Sequence, residues 1–117
     1  MTALLRAFFL LTSFALSVSF SLAVPKGLTP VLTQRCAPCH GPDLNGVGGV
    51  FPSLMTSELV KSGNMDGVIK FITHGSPVDS QSLVKMPAKG GHLDLGDEEI
   101  RDIAKQVIEL AQNYVEV

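Results

Sequence analysis

The chain has no tryptophan, one tyrosine and only two cysteines in 117 residues. Two cysteines exclude a disulfide-rich scaffold. After residue 23 the only aromatic side chains are Phe51, Phe71 and Tyr114, so a domain of 94 residues would bury a thin core by itself. No later apolar run approaches the roughly 18 residues that span a bilayer. Eight basic against 11 acidic side chains in residues 24–117 argue against a nucleic-acid partner.

Residues 1–23 have the pattern of a secretory signal peptide. Arg6 precedes a long uncharged stretch, and Ser21 and Ala23 form the small-x-small pattern that a signal peptidase accepts. The pattern predicts an exported, periplasmic protein whose single domain spans residues 24–117, with no spanning segment after cleavage. The alternative is an uncleaved leader that anchors the protein to the membrane.

Helical signals recur in the rest of the chain, and no alternating strand pattern does. The predicted helices cover residues 30–37, 65–74 and 97–114, with one helical turn at 57–61. Thr29-Pro30 and Asn64 suit helix starts, and Gly75 suits a helix stop. The loops at 41–54 and 76–95 are too long for a compact domain unless they wrap something. The sequence predicts an all-α fold.

Cys36, Cys39 and His40 form a Cys-x-x-Cys-His segment at the end of the first predicted helix. Cysteines at this spacing face the same way, so both sulfurs can add to the two vinyl groups on one edge of a porphyrin. His40 then lies under the ring and directs an imidazole nitrogen at the iron. The segment predicts covalent attachment of c-type haem.

A cysteine pair of this kind also occurs as a structural disulfide, as a thioredoxin-like dithiol and as half of a zinc site. A dithiol oxidoreductase needs a βαβ context that this sequence lacks, and a zinc site needs further ligands at finger-like spacing. The adjacent histidine, the exported chain and the deficient core all favour haem attachment over these three alternatives.

A second axial ligand is expected from the loop at 76–95. Met86 precedes Pro87, and this proline together with a Gly-Gly pair provides a constrained turn that can present a sulfur to the iron. A lone methionine is more often core filler. The other candidates for this ligand are Met55, Met65, His74 and His92.

Four motifs in this order resemble the class I c-type cytochromes, specifically the small bacterial monohaem electron carriers. They are Cys-Ala-Pro-Cys-His-Gly at 36–41, Gly-Val-Phe-Pro-Ser-Leu at 49–54, Met-Pro-Ala-Lys-Gly-Gly at 86–91 and Leu-Gly-Asp-Glu-Glu-Ile at 95–100. The resemblance covers nearly all of the chain after the leader. It implies a small helical domain wrapped around one covalently attached haem c, and we expect a monomer.

The resemblance also implies roles for individual residues. Cys36 and Cys39 would be linked to the haem, and the iron ligands would be His40 on the proximal side and Met86 on the distal side. Pro52 would accept the ring N–H of the ligating histidine through its carbonyl group, which fixes the imidazole's orientation and raises its basicity.

The sequence departs from the family at the contact between the first and last helices. Leu28 stands at the usual glycine position, Leu32 at the usual aromatic position and Gln106 near the place of the partner aromatic. Tyr114 is a candidate substitute from further along the chain. Gly96 stands where serine commonly caps the last helix, which changes stability by only a few tenths of a kcal/mol.

With both axial positions filled, the protein is expected to be a one-electron carrier and not an enzyme. One alternative is a haem enzyme or sensor with an open distal site, for which only Lys89 and His92 are near enough to serve. Another is a cytochrome subunit of a larger redox complex. The partners would be redox proteins whose identity the sequence does not give, and Lys85 and Lys89 are candidates for steering an acidic one.

Overall fold

The computed structural model describes residues 27–116, which form five α-helices and one short 3-10 helix joined by long loops. The elements are α1 Pro30–Arg35, α2 Ala37–His40, α3 Glu58–Lys61, α4 Met65–His74, the 3-10 helix Ala88–Gly91 and α5 Asp97–Gln112. The only β pairing among the described residues is an isolated bridge between Val47 and Phe51. The predicted all-α fold is confirmed, whereas the predicted leader at 1–23 lies outside the described residues.

The first helix is shorter than the sequence predicted. Instead of running from Pro30 to Ala37, α1 ends at Arg35, and α2 begins after Cys36, which is a turn residue between the two helices. A single helix running from Pro30 through His40 would place Pro38 in its interior, where the ring clashes with a carbonyl and offers no N–H. The break puts Pro38 in the first turn of α2, where no N–H is needed.

The two middle helices follow the prediction closely. Ser57 precedes α3, and α4 runs from Met65 to His74 with Gly75 as its C-cap. The side-chain oxygen of Asn64 accepts a hydrogen bond of 2.9 Å from the backbone N–H of Gly67. This bond satisfies one of the free N–H groups at the start of α4, which is why the helix begins there.

The last helix supplies half of the buried apolar core residues. α5 ends at Gln112, two residues before the predicted end, and its N-terminus is closed by the Glu99 carboxylate, which accepts from the N–H of Gly96 at 3.1 Å. Its buried stripe consists of Ile100, Ile103, Ala104, Val107, Ile108 and Ala111. These positions recur every three or four residues, which places them on one face of the helix.

The start of α1 meets α5 through a polar contact. The hydroxyl of Thr29 donates to the side-chain oxygen of Gln106 at 2.5 Å, and Leu32 is completely buried in the same core. Tyr114 is half-buried and packs against that core, and its hydroxyl accepts a 2.8 Å hydrogen bond from the amide of Asn45. The residues that depart from the family pattern therefore still connect the two ends of the domain.

The helices in residues 27–116 are all too short or too polar to cross a bilayer.

Candidate cofactor site

An apolar cavity of about 640 Å³ lies between α2, α4, α5 and the two long loops. This volume falls in the range of roughly 300–1,000 Å³ that is usual for sites holding small molecules and cofactors. The apolar side chains of its wall include Phe51, Leu54, Leu59, Val60, Val68, Phe71, Ile72, Leu95, Ile103 and Val107. The two long loops therefore do wrap a space, as their length led us to expect.

All five residues selected from the sequence line this one cavity. They are Cys36, Cys39, His40, Pro52 and Met86. Two thiols, an imidazole and a thioether on the wall of an apolar chamber are the donor set that a covalently linked haem requires. The residues present fit that group.

The cysteine pair sits where α1 gives way to α2. The N–H groups of Cys39 and His40 both point at the carbonyl oxygen of Cys36, at 3.2 and 2.9 Å, so one tight turn places both sulfurs and the imidazole. Burial raises the pKa of the Cys36 thiol, and the neighbouring Cys39 raises it further. A dithiol oxidoreductase needs the opposite shift in its attacking cysteine.

A zinc site finds no support among the described residues. No group of three or more histidine, cysteine, aspartate or glutamate side chains within residues 27–116 is arranged to hold a metal ion. Both thiols are free rather than joined in a disulfide.

His40 is buried at the end of α2, and its ring is oriented by the loop that follows. Its Nδ1 lies 3.1 Å from the carbonyl oxygen of Pro52. A carbonyl oxygen can only accept, so in the neutral ring Nδ1 carries the proton and Nε2 keeps a free lone pair. This is the contact that the resemblance implies for Pro52, and it leaves the nitrogen that an iron ion would need unprotonated.

The candidates for the second ligand are separated by the fold. Met55 is buried in the core, Met65 packs against the core on α4, and His74 is exposed at the end of α4. Of the five candidates only Met86 and His92 line the cavity.

His92 has both ring nitrogens engaged by Arg35. Its Nδ1 lies 3.0 Å from the guanidinium, and its Nε2 lies 3.2 Å from the backbone oxygen of the same arginine. Because a guanidinium only donates, Nδ1 accepts and Nε2 carries the proton. The guanidinium also pairs with Asp94 at 2.7 Å. His92 thus links the end of α1 to the segment before α5 and has no free nitrogen.

The ammonium groups of Lys85 and Lys89, the two lysines near Met86 in the sequence, are hydrogen-bonded to backbone carbonyl groups. The ammonium of Lys89 donates to the carbonyl oxygen of Leu95 at 2.7 Å, and that of Lys85 donates to the carbonyl oxygens of Ser80 and Val78. Both charges stay near the cavity, whose wall includes the two residues. Both side chains are hydrogen-bonded to the backbone, Lys89 as a partly buried residue and Lys85 as an exposed one.

Sequence reasoning missed the residues that hold Met86. The N–H of Ser76 donates to the carbonyl oxygen of Met86, and the hydroxyl of Ser76 accepts from the N–H of Met86, both at 2.9 Å. Gly75 was recognised only as the stop of α4. Its φ is 78°, and a tight reversal of this kind favours glycine, so the glycine itself was the one available signal.

A helical domain that presents a Cys-x-x-Cys-His segment to an apolar cavity defines the class of c-type cytochromes. A family model described as cytochrome c oxidase, cbb3-type, subunit III matches residues 25–105. The chain belongs to this family and is a c-type haem electron carrier, of a kind that is typically extracytoplasmic. Neither the curated proteins nor the solved structures include a match to this chain.

Proposed function

We propose that this protein is a soluble, periplasmic one-electron carrier that binds one haem c through Cys36 and Cys39, with His40 and Met86 as the axial ligands. One observation carries the proposal. Of the five candidates for the second ligand, only Met86 and His92 line the cavity, and both nitrogens of His92 are engaged by Arg35. The thioether of Met86 is therefore the candidate that remains for the second axial ligand.

The chain's own residues account for the remaining requirements. Pro52 orients the His40 ring and keeps its Nε2 lone pair available, while mostly apolar side chains surround the site. When bound, the haem iron supplies a one-electron ferrous–ferric couple, and a thioether ligand favours a higher potential than a second imidazole does.

An enzyme or sensor with an open distal site has less support. It would need an acid–base group free to act beside the iron. Lys89 and His92 are the two groups predicted for this role, and each already donates to a backbone carbonyl group, of Leu95 and Arg35 respectively. The neighbouring Lys85 likewise donates to the carbonyl oxygen of Ser80. Closed coordination with no free acid–base partner is the arrangement expected of a carrier.

The ligand assignment is tested with the Met86→Leu variant of the exported holoprotein and Met65→Leu as its matched control. Met65 packs against the core without lining the cavity. We expect the wild type and Met65→Leu to show the weak far-red ferric absorption band of a thioether–iron bond and to bind no carbon monoxide when reduced. Met86→Leu should lose the band and bind carbon monoxide.

Three results would contradict the proposal. A wild-type protein without the far-red band, or one that binds carbon monoxide rapidly, would show that Met86 does not close the site. Persistence of the band in Met86→Leu would assign the ligand role to another methionine, and a bis-histidine spectrum of the wild type that disappears in His92→Ala would transfer it to His92. A mass that corresponds to an unmodified polypeptide in periplasmic material, or a pyridine haemochrome value far from one haem per chain, would refute the attachment.

The family gives a second candidate function. The matching model is named for an oxidase subunit, so this chain is alternatively the cytochrome subunit of a larger redox complex. Fractionation decides between the two. A carrier is recovered in the periplasmic fraction with its leader removed near Val24, whereas a subunit stays with the membrane or co-purifies with partner chains.

A further inference from the structure

The backbone of Met86 is attached to the end of α4 by two hydrogen bonds from a single residue. Ser76 donates its N–H to the Met86 carbonyl oxygen and accepts the Met86 N–H with its side-chain oxygen, both at 2.9 Å. Gly75 makes this approach possible, because a Cβ atom at that position would collide with the Met86 carbonyl oxygen. The peptide groups on both sides of Met86 are therefore held by one serine.

Residues 77–85, which lie between Ser76 and Met86, make few buried contacts that could hold Met86 in place. Val78 is fully exposed and Leu83 is 95% exposed. The bonds within the segment are local, such as the 2.8 Å bond from the Ser82 hydroxyl to the Val84 carbonyl oxygen. A segment with so few buried contacts opens at low cost in free energy. The two bonds with Ser76 attach the Met86 backbone directly to the end of α4, and the 3-10 helix that follows Met86 packs against the same helix.

We infer that Ser76 is a positioning residue for the second axial ligand, and that its hydroxyl keeps the Met86 thioether on the iron. The inference rests on the proposed ligation by Met86. The backbone N–H of Ser76 remains in any side-chain variant, so only the bond to the hydroxyl depends on the residue type. Removing that acceptor leaves the half-buried Met86 N–H without its partner, which penalises the closed position.

The test compares Ser76→Ala with Ser76→Thr and with the control Ser62→Ala in the ferric holoprotein. Ser62 is matched because its hydroxyl also makes a 2.9 Å bond to the backbone, to the Leu59 carbonyl oxygen, far from Met86 in the chain. The readout is the pH at which the far-red thioether–iron band disappears. A chemical denaturation curve followed by helix circular dichroism measures global stability separately.

We expect Ser76→Ala to shift the equilibrium towards the unbound thioether about tenfold, which corresponds to about 1.4 kcal/mol. For a one-proton transition this lowers the midpoint by about one pH unit. Ser76→Thr keeps the hydroxyl and should stay close to the wild type, as should Ser62→Ala. The denaturation midpoint should change far less than the midpoint of the band.

The inference is wrong if Ser76→Ala and Ser62→Ala lose the band at the same pH. It is also wrong if Ser76→Ala changes global stability and ligation equally, which is the mark of a merely structural role. Absence of the band in the wild type would instead refute the ligation by Met86, so the two failures are distinct.

A second measurement covers the case in which Ser76→Ala does not accumulate. Amide hydrogen exchange of the wild-type holoprotein should show the Met86 N–H protected together with the N–H of Ser76, while amides between them exchange faster. An unprotected Met86 N–H would overturn the inference without any variant.

Discussion

The two long loops hold their candidate ligands in different ways. Residues 36–54, the His40 segment, form a closed network in which the N–H of Gly46 bonds to the His40 carbonyl oxygen at 2.8 Å and that of Leu54 bonds to the Leu44 carbonyl oxygen at 2.9 Å. Residues 76–95, the Met86 segment, carry exposed apolar side chains in their middle, and the Met86 backbone is hydrogen-bonded to Ser76.

The two segments are of similar length, and they differ in the hydrogen bonds that tie them to the rest of the domain. In the His40 segment, the side chain of Asn45 accepts from the Ser53 hydroxyl at 2.6 Å and donates to Tyr114, so the loop is tied to the chain beyond α5. The Met86 segment has no comparable cross-link within the described residues between its exposed middle and a helix. Its ligand should be the first to leave the iron, with His40 retained.

Loss of the cofactor should have the largest effect, because both segments close around it. We expect Cys36→Ser/Cys39→Ser protein to lack cooperative unfolding, since the porphyrin supplies the apolar body that fills the cavity. Thermal circular dichroism of this variant and of the wild-type holoprotein is the measurement. A cooperative transition in the haem-free variant would contradict the expectation and would show that the polypeptide core suffices.

Glycine-to-alanine substitutions near the two segments should have different effects on the pH at which the far-red band is lost. Gly75 has φ 78° and ψ −167°, a region that is essentially restricted to glycine, so Gly75→Ala should destabilise by about 1–3 kcal/mol from backbone strain alone. The collision with Met86 adds to this cost and should lower the pH at which the far-red band is lost.

The control for this substitution is Gly48→Ala in the His40 segment. Gly48 also has a positive φ, of 49°, but a Cβ atom there would meet nothing within 4 Å. It should cost roughly 1–2 kcal/mol of strain and leave the band's pH midpoint unchanged. Equal effects of both variants on the band would remove the distinction between the segments. Denaturation curves and pH titrations provide both readouts.

Tyr114→Phe should lower the unfolding free energy through the His40 segment and leave the ligation by the Met86 segment unchanged. It removes the hydroxyl that accepts from Asn45 while keeping the ring in the core, so we expect a loss of about 0.5–1.5 kcal/mol in unfolding free energy. The far-red band should keep its pH midpoint. A shifted midpoint would mean that the two segments are coupled through α5.

The smallest effect is expected at the ion pair between Arg35 and Asp94. The hydrogen bond from Arg35 lowers the pKa of Asp94 below its ordinary value of 3.8. A lowered folded-state pKa stabilises the protein above the ordinary value, and this contribution disappears as the pH falls through the folded-state pKa. Because the carboxylate is exposed, the effect is small.

The corresponding variant is Asp94→Asn. It should be slightly less stable than the wild type at pH 7, and the difference should vanish in acid, where the wild-type carboxylate is protonated. Denaturant midpoints measured at both pH values check this. A difference that persists or grows in acid would show that the variant acts through something other than the ion pair.

Local signals in the sequence were sufficient for most of the helices. Asn64 and Gly75 bound α4 as predicted, because capping and stop signals act over a single turn. The first helix ends at Arg35, two residues before its predicted end, and a separate helix α2 follows that was not predicted. The residues proposed as linkage sites and axial ligands stay predictions, although the fold does bring them to one cavity.

By itself, the sequence determined the helical class, the Cys-x-x-Cys-His segment and a set of candidate ligands, because these depend on spacing over a few residues. Only the tertiary structure decided which candidates share the cavity, that Arg35 engages both nitrogens of His92, and that Ser76 holds the Met86 backbone. These contacts join residues 10 and 57 positions apart. Local pattern carries no information about such distances, which the packing of the whole chain sets.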